Sequence, residues 1–229
     1  MVENRARKVM CIVAHPDDEA LGVGGTLIRH VHAGDQVECI ILSEGEDAKA
    51  DLNKRDPERR NKATMWAHRA GCVVRAFYDF PDQRFDTIPM VDIVAAIQPE
   101  IDSFCPDIIY THHPWDLNHD HRITCQAVLV AIRPMRFEGS LPNVYAFETP
   151  SSTDQAPNVD PFIFQPNHYV VLDDVMEDKM DALEVYANEL GEAPHPRSRE
   201  SIRALATKRG AECGAFSAEA FVLVRSIWS

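Results

Sequence analysis

Short apolar runs alternate with longer amphipathic segments through the first 150 residues of the chain. The runs are nearly continuous in Val, Ile, Leu and Cys, which is typical of strands that are buried on both faces of a parallel sheet. The longer segments repeat their apolar positions at helical spacing. The predicted strands are 8–14, 37–42, 73–78 and 107–111, and the predicted helices are 19–32, 57–70, 91–104 and 121–132.

The last third of the chain is less regular. Its pattern predicts strands over 144–148, 169–172 and 220–227, helices over 175–190 and 199–209, and Pro-containing loops over 154–167 and 192–196. Strand–helix alternation predicts βαβ units. We therefore expect an α/β fold, a Rossmann-like three-layer sandwich with a mostly parallel sheet. One domain over 1–229 is expected, with a core over 1–150 and a small C-terminal β/α elaboration over 151–229.

Composition and charge narrow the possible classes of function and location. The net charge of −13 argues against nucleic acid as a partner, because binding a phosphate backbone needs a concentrated basic face. No apolar run approaches the roughly 20 residues of a membrane helix, and the N-terminus lacks the features of a secretory signal, so we expect no membrane span and a cytoplasmic protein. The six cysteines have no CxxC spacing and are interpreted as small buried apolar residues.

The first candidate chemistry lies at the end of the first predicted strand. His15 and Asp18 are three residues apart across a tight turn, and both are ligand types suited to zinc or a similar divalent ion. Asp17 and Glu19 add two further carboxylates, and a cation would relieve their mutual repulsion. The alternative is a helix N-terminus carrying acids that the helix dipole favours, which leaves the preceding His-Pro unexplained.

A second polar cluster follows the fourth predicted strand. It contains four of the ten histidines of the chain within residues 112–121. In parallel sheets ligands bind outside the carboxyl ends of the strands, so both clusters are expected at the same edge. Three protein ligands with an open coordination position are the pattern of a catalytic zinc site, and iron(II) is an alternative metal for such a set. A polar surface loop is the competing interpretation.

These residues resemble a known family. Residues 15–22, His-Pro-Asp-Asp-Glu-Ala-Leu-Gly, resemble the opening motif of the PIG-L/LmbE-like zinc N-deacetylases, and residues 116–122 resemble their second motif. The resemblance continues through segments 43–45, 80–82, 147–148 and 194–198, and so covers nearly the whole chain. It implies hydrolysis of an N-acetyl group from an amino sugar or sugar conjugate of the N-acetylglucosamine type.

The resemblance also implies roles for individual residues. His15, Asp18 and His121 match the metal ligands, Asp17 matches the general base that activates metal-bound water, and Glu19 would orient a neighbouring group. The substrate would be a small amino sugar, free or linked to a nucleotide or a lipid. The resemblance leaves room for a homo-oligomer.

One position departs from the family pattern. Asn118 stands where many members have a histidine that polarises the carbonyl or protonates the leaving group. An amide can donate a hydrogen bond to an oxyanion, but it cannot supply a proton as an acid. Either Asp17 handles both proton transfers, or His195 or His113 substitutes.

The resemblance further implies substrate contacts at Arg59 and Asp82, and Arg197 is expected to contact a phosphate of the substrate. A salt-bridged surface arginine is the alternative for Arg59, and a turn-stabilising aspartate is the alternative for Asp82. Trp115 is either a stacking surface for a sugar or a buried anchor for its loop. Specificity is expected to reside in loops 47–56, 154–167 and 191–198.

Two other classes of protein compete with the enzyme. A nucleotide-binding module is disfavoured because acids replace the glycine-rich turn that a pyrophosphate needs. A non-catalytic metal-binding protein is disfavoured because a structural metal site would be closed and would not need Asp17. A serine or cysteine hydrolase is poorly supported because no GxSxG turn is present.

Overall fold

The computed structural model describes residues 5–45, 58–135 and 140–227. Strands and helices alternate along most of this length, as the periodicity predicts. The strands are β1 (Lys8–Val13), β2 (Gln36–Ile41), β3 (Val73–Phe77), β4 (Ile108–His112), β5 (Asn143–Phe147), β6 (His168–Val171) and β7 (Ala218–Arg225). The helices are α1 (Asp18–His32), α2 (Arg59–Ala70), α3 (Met90–Phe104), α4 (His119–Ala131), α5 (Met176–Leu183) and α6 (Arg199–Cys213).

The seven strands form one sheet in the order β3-β2-β1-β4-β5-β7-β6. The first five run parallel, whereas β7 pairs antiparallel with both β5 and β6. The predicted α/β class and mostly parallel sheet are therefore confirmed. Because β1 and β4 are parallel neighbours, the segments that follow them leave the sheet side by side at one edge.

Two buried layers cover the sheet. Alternate residues of each strand point to opposite faces, so Val9, Cys11 and Val13 pack against α1, α2, α5 and α6, while Met10 and Ile12 pack against α3 and α4. This is the three-layer sandwich expected from the sequence.

Two predicted helices differ in extent from the structure. The helix predicted over 175–190 ends at Leu183 and continues as a 3-10 turn over Glu184–Glu189, where Tyr186 leaves helical geometry at φ −100° and ψ 27°. The helix predicted over 199–209 runs on to Cys213, because Gly214 at φ 82° ends it in the left-handed region that suits glycine.

A buried ion pair joins the C-terminal part of the chain to α1. The Glu219 carboxylate of β7 accepts hydrogen bonds from the backbone N–H groups of Gly25 (3.0 Å) and Thr26 (2.7 Å). The Lys179 ammonium of α5 lies 2.6 Å from Glu219 and donates to the carbonyl oxygen of Leu21. Each charge therefore also bonds the backbone of α1, the helix that begins at the candidate site.

Replacing Lys179 with methionine is expected to lower the free energy of unfolding by about 3–5 kcal/mol, because it leaves the buried Glu219 carboxylate without its counter-charge. The side chains of Lys179 and Glu219 are only 5% and 6% exposed. Urea denaturation measures the difference. Lys208→Met is the matched control, since Lys208 pairs with Glu212 at the surface and its loss should cost under about 0.5 kcal/mol. Equal costs for the two variants would contradict a special role for the buried pair.

All six cysteines are free thiols. The prediction that they are buried is wrong for Cys105 and Cys213, which are exposed at or beside the ends of α3 and α6.

Within residues 5–45, 58–135 and 140–227, no helix is both long enough and apolar enough to cross a membrane.

Candidate metal centre and active site

The two polar clusters meet at the carboxyl edge of the sheet. His15 follows the end of β1, and a sharp turn at Asp17 starts α1 at Asp18. Asp17 has φ 97° and ψ −27°, a left-handed conformation that residues other than glycine rarely adopt. His121 comes from the first turn of α4, the helix that follows β4.

Three side chains of this edge form a group with metal-ligand geometry. Donor atoms of His15, Asp18 and His121 all lie within 4.8 Å of one another, and all three residues are buried. The Asp18 Oδ2 atom is 3.4 Å from His15 Nδ1 and 3.3 Å from His121 Nε2. The donor atoms of His15 and His121 are therefore close enough to share one ion.

Carboxylates orient both imidazole rings from behind. His15 Nε2 lies 3.1 Å from Asp120 Oδ2 and 3.2 Å from Asp82 Oδ1, and His121 Nδ1 lies 3.3 Å from Asp116 Oδ1. In metal sites, a carboxylate behind a ligand histidine fixes the orientation of the ring and selects the nitrogen that faces the metal. Both ring nitrogens of His121 are buried without a hydrogen bond in the described structure, so a cation beside Asp18 would satisfy an otherwise unpaired atom. The residues fit a zinc-type ion.

His15, Asp82 and Asp120 form a second group with donor atoms within 4.8 Å of one another. Asp120 already accepts backbone N–H bonds from Gln83 (2.7 Å) and Phe85 (3.1 Å), which fix its carboxylate. We therefore interpret Asp120 as an orienting acid and not as a ligand.

The charges of the cluster are strongly coupled. Burial lowers the pKa of His121, but Asp18 and Asp116 outweigh burial and raise the pKa to about 9. Burial raises the pKa of Asp18, but His121 outweighs burial and holds the pKa well below its usual range. The carboxylates thus favour positive charge at this point, which is the electrostatic requirement of a cation site.

His112 packs flat against His121. The two ring centroids are 3.9 Å apart with an interplanar angle of 12°. His112 Nε2 accepts a hydrogen bond from the backbone N–H of Ala14 at 3.0 Å, and burial lowers the pKa of His112 to about 3. A neutral ring is therefore fixed between the end of β1 and the side chain of His121.

Asp17 lies beside the ligand group and carries two arginine contacts. Its Oδ2 atom accepts hydrogen bonds from Arg59 and Arg197, both at 3.0 Å. Burial raises the pKa of Asp17, and the two guanidinium groups oppose this rise. Arg59 is only 6% exposed and also donates to the carbonyl oxygen of Pro16, so it is not the surface arginine of the alternative interpretation.

Glu19 supports the strained turn. Its Oε2 atom accepts a hydrogen bond from the backbone N–H of Asp17 at 3.1 Å, and its Oε1 atom accepts one from the Tyr186 hydroxyl at 2.7 Å. Burial is the main cause of a rise in the pKa of Glu19 to about 8. The carboxyl group therefore faces the backbone and Tyr186, in keeping with the orienting position that the resemblance implies.

A cavity of about 250 Å³ opens above these groups. Its wall contains the three candidate ligand residues and Asp17, together with four of the other residues named from sequence. Those four are Arg59, Asp82, Asn118 and Arg197. Asn118 caps α4, and its Oδ1 atom accepts the N–H of Asp120 at 2.9 Å.

Three other candidates lie outside the wall of the cavity. His113 is buried against the edge of the Phe164 ring, and His195 is exposed, with its Nδ1 accepting the N–H of Arg197. Trp115 is 45% exposed, so it is not a buried anchor for its loop. Loop 47–56 lies outside the described residues.

Four residues without an assigned role from sequence contribute to the site. Asp116, Asp120 and His112 contact the two candidate ligand histidines, and Glu189 lines the cavity. The positions of His112, Asp116 and Asp120 at or after the end of β4 indicate that these residues lie near the site. Spacing alone does not show which of them face His15 or His121.

Replacing Asp116 with asparagine is expected to weaken zinc affinity by about 10- to 100-fold, because it removes the carboxylate behind His121. Ser152 donates to Asp116 Oδ1 and Thr153 donates to Oδ2. An asparagine can keep one of these bonds at its amide oxygen and donate from its amide nitrogen to the other hydroxyl. Competition with a chromophoric chelator measures the affinity. His119→Gln, on the exposed side of the same helical turn, is the control that should bind zinc normally. Unchanged affinity in Asp116→Asn would rule out this support.

The fold and the site together define an α/β protein with a candidate catalytic metal centre at the carboxyl edge of its sheet. The family described as PIG-L, GlcNAc-PI de-N-acetylase, matches residues 10–132. The chain belongs to this family, and the resemblance read from its motifs is confirmed.

Known proteins are similar over nearly the full length. The diacetylchitobiose deacetylase of Thermococcus kodakarensis is 27% identical over 248 aligned positions, covering 98% of this chain and 86% of the relative. The N,N'-diacetylchitobiose deacetylase of Pyrococcus horikoshii superposes with a TM-score of 0.77 at 21% identity, covering 96% of this chain and 84% of that one. GalB, the 4-carboxy-2-hydroxymuconate hydratase of Pseudomonas putida KT2440, also gives 0.77, at 20% identity and 97% and 98% coverage.

Proposed function

We propose that this protein is a metal-dependent hydrolase that removes the N-acetyl group from an amino sugar or sugar conjugate. One observation carries the proposal: donor atoms of His15, Asp18 and His121 converge within 4.8 Å of one another beside the buried carboxylate of Asp17. Membership of a family described as a de-N-acetylase and the names of the chitobiose deacetylases support the reaction and the class of substrate.

His15, Asp18 and His121 would hold the ion. A divalent zinc-type ion bound there would lower the pKa of water and polarise the acetamide carbonyl. Iron(II) suits the same two-histidine, one-carboxylate set.

Asp17 would move the proton. Both arginines contact its Oδ2 atom, so Oδ1 remains to accept a proton from the attacking water. Asp17 is also the carboxylic acid that can return this proton to the leaving amine. Neither His113 nor His195 lies in the described wall of the cavity, which favours Asp17 for both transfers.

Polar residues of the wall would bind the sugar. Asn118 would donate from its amide nitrogen to the oxyanion that develops on the carbonyl, since its Oδ1 already accepts the N–H of Asp120 at the helix cap. Asp82 and Arg59 would contact sugar hydroxyls. Arg197, although a candidate for a phosphate contact, donates to Asp17 and to Ser151, which makes it a support for the base.

Release of acetate from a panel of acetamido sugars tests the proposal. The zinc-loaded protein should release acetate from at least one N-acetylglucosamine conjugate, and a chelator should stop the reaction. A hydratase shares this fold, so the assay must detect acetate and free amine directly. Activity that survives complete metal removal, or a panel without any acetate release, would contradict the proposed function.

A further inference from the structure

The turn between β1 and α1 holds the proposed base in a strained backbone conformation. Asp17 has φ 97° and ψ −27°, in the left-handed region that residues other than glycine rarely adopt. A conformation of this kind persists only where the surrounding structure fixes it. Any shift of the turn would move the Asp17 carboxylate relative to the candidate metal ligands, so the contacts that fix the turn bear on the proposed reaction.

Two side chains bond the backbone of this turn at Pro16 and Asp17. Arg59 donates to the carbonyl oxygen of Pro16 at 2.8 Å. The Oε2 atom of Glu19 accepts the backbone N–H of Asp17 at 3.1 Å. Glu19 therefore bonds the strained residue itself, and the orientation of its carboxylate decides whether this hydrogen bond can form.

Tyr186 holds the carboxylate of Glu19. Its hydroxyl donates to Glu19 Oε1 at 2.7 Å, on the other side of the carboxylate from the atom that bonds Asp17. Among the described residues, Tyr186 is the only side chain that donates a hydrogen bond to Glu19. Burial and the neighbouring Glu19 raise the pKa of Tyr186 well above its usual range, so the hydroxyl keeps the proton that it donates.

The ring of Tyr186 is itself fixed by packing. Tyr186 is 0% exposed and belongs to the buried layer on the α1, α2, α5 and α6 side of the sheet. It lies in the 3-10 turn over Glu184–Glu189, which packs against α2 and α5. The departure from helical geometry after α5 falls at this residue, whose hydroxyl bonds Glu19. A side chain locked by packing is a suitable support for a catalytic group.

We propose that Tyr186 is a positioning residue for Asp17. Its hydroxyl orients the Glu19 carboxylate, which in turn holds the Asp17 N–H and keeps the turn in its left-handed conformation. Tyr186 is outside the described wall of the cavity, so it acts through Glu19 and not on the substrate. The inference rests on the proposed function, in which Asp17 moves the proton.

Tyr186→Phe tests this inference, because it removes the hydroxyl and keeps the buried ring. The assay uses the panel sugar that the wild type deacetylates fastest. The expected result is a fall in kcat of about tenfold with KM changed by less than about twofold, since the substitution displaces the base and leaves the sugar contacts in place. Zinc content per chain should stay at the wild-type level.

Tyr110→Phe is the matched control. Tyr110 is only 2% exposed, its hydroxyl lies 3.0 Å from His30 Nε2, and it is outside the described wall of the cavity. Both variants lose one buried hydrogen bond, so both should melt at a lower temperature than the wild type. Only Tyr186→Phe should lower kcat.

Two further measurements follow the path through Glu19. Glu19→Ala should lower kcat with zinc still bound, and adding Tyr186→Phe to it should change kcat by less than about twofold, because the two residues act in one chain of contacts. Amide hydrogen exchange by NMR requires no substrate. The Asp17 N–H should exchange several-fold faster in Tyr186→Phe than in the wild type or Tyr110→Phe.

The outcomes separate this inference from the proposed function. Wild-type kcat in zinc-loaded Tyr186→Phe, or unchanged exchange of the Asp17 N–H, would overturn the role of Tyr186 and leave the proposed function intact. An equal effect of Tyr186→Phe with and without the Glu19 side chain would do the same. A wild type that releases no acetate from the panel would contradict the proposed function and, with it, the base that Tyr186 is proposed to position.

Discussion

Asp17→Asn is expected to reduce the turnover number for deacetylation by about 10⁴-fold while zinc remains bound, the upper range for loss of a general acid–base group. An asparagine oxygen can still accept hydrogen bonds from Arg59 and Arg197, which now lie 3.0 Å from Asp17 Oδ2. The amide cannot take up a proton from water, however, and it has none to give to the leaving amine. The turn, the cavity and the three ligand side chains should persist.

Two measurements on the same Asp17→Asn preparation distinguish a loss of catalysis from a loss of bound metal. Acetate release under saturating substrate gives the turnover number, and metal analysis gives the zinc content per chain. Low turnover with full zinc content is the expected combination. Low turnover with lost zinc would mean that Asp17 helps to hold the ion, and near-normal turnover would show that another group takes the proton.

The arrangement of the fold was predictable because its signal is local. A strand buried on both faces is mostly apolar, and β1, β2 and β4 are buried at every position except the first residues of β1 and β2. Parallel pairing then places their carboxyl ends at one edge whatever the details of the loops. Residue 15 and the histidines after β4 could therefore be expected near each other before any coordinates existed.

The finer contacts of the site depend on orientation, which no spacing reveals. His112 and His113 are neighbours in sequence, yet the first stacks on His121 and the second packs against Phe164. One residue of difference at a strand end reverses the direction of a side chain.

The contacts of the Pro-flanked segment 194–198 could not be predicted from the sequence either. Arg197 reaches Asp17 across 180 residues of chain, while His195, two residues earlier, accepts an N–H within its own turn. Both residues were candidates for the site from sequence, and only the folded loop distinguishes them. The contact between Asp116 and His121 likewise depends on how the loop folds and could not be predicted from their spacing.

His121→Ala is expected to weaken zinc affinity by more than about 100-fold, beyond the loss expected for a residue that merely orients a ligand. Removal of this imidazole leaves two of the three proposed ligands. It also leaves the buried carboxylates of Asp18 and Asp116 without the ring that now lies 3.3 Å from each of them. Activity should disappear together with the metal, in contrast to Asp17→Asn.

A chelator-competition titration of His121→Ala measures the zinc affinity, and circular dichroism establishes that the variant is folded. His119→Ala is the matched control, because His119 lies on the same turn of α4 but is exposed to solvent. His121→Gln preserves a polar side chain against the two carboxylates, so it covers the case in which the alanine variant fails to fold. If folded His121→Gln bound zinc as tightly as His119→Ala, His121 would not be a ligand, and the ion would have to be held by another set of residues, of which His15, Asp82 and Asp120 are the available candidates.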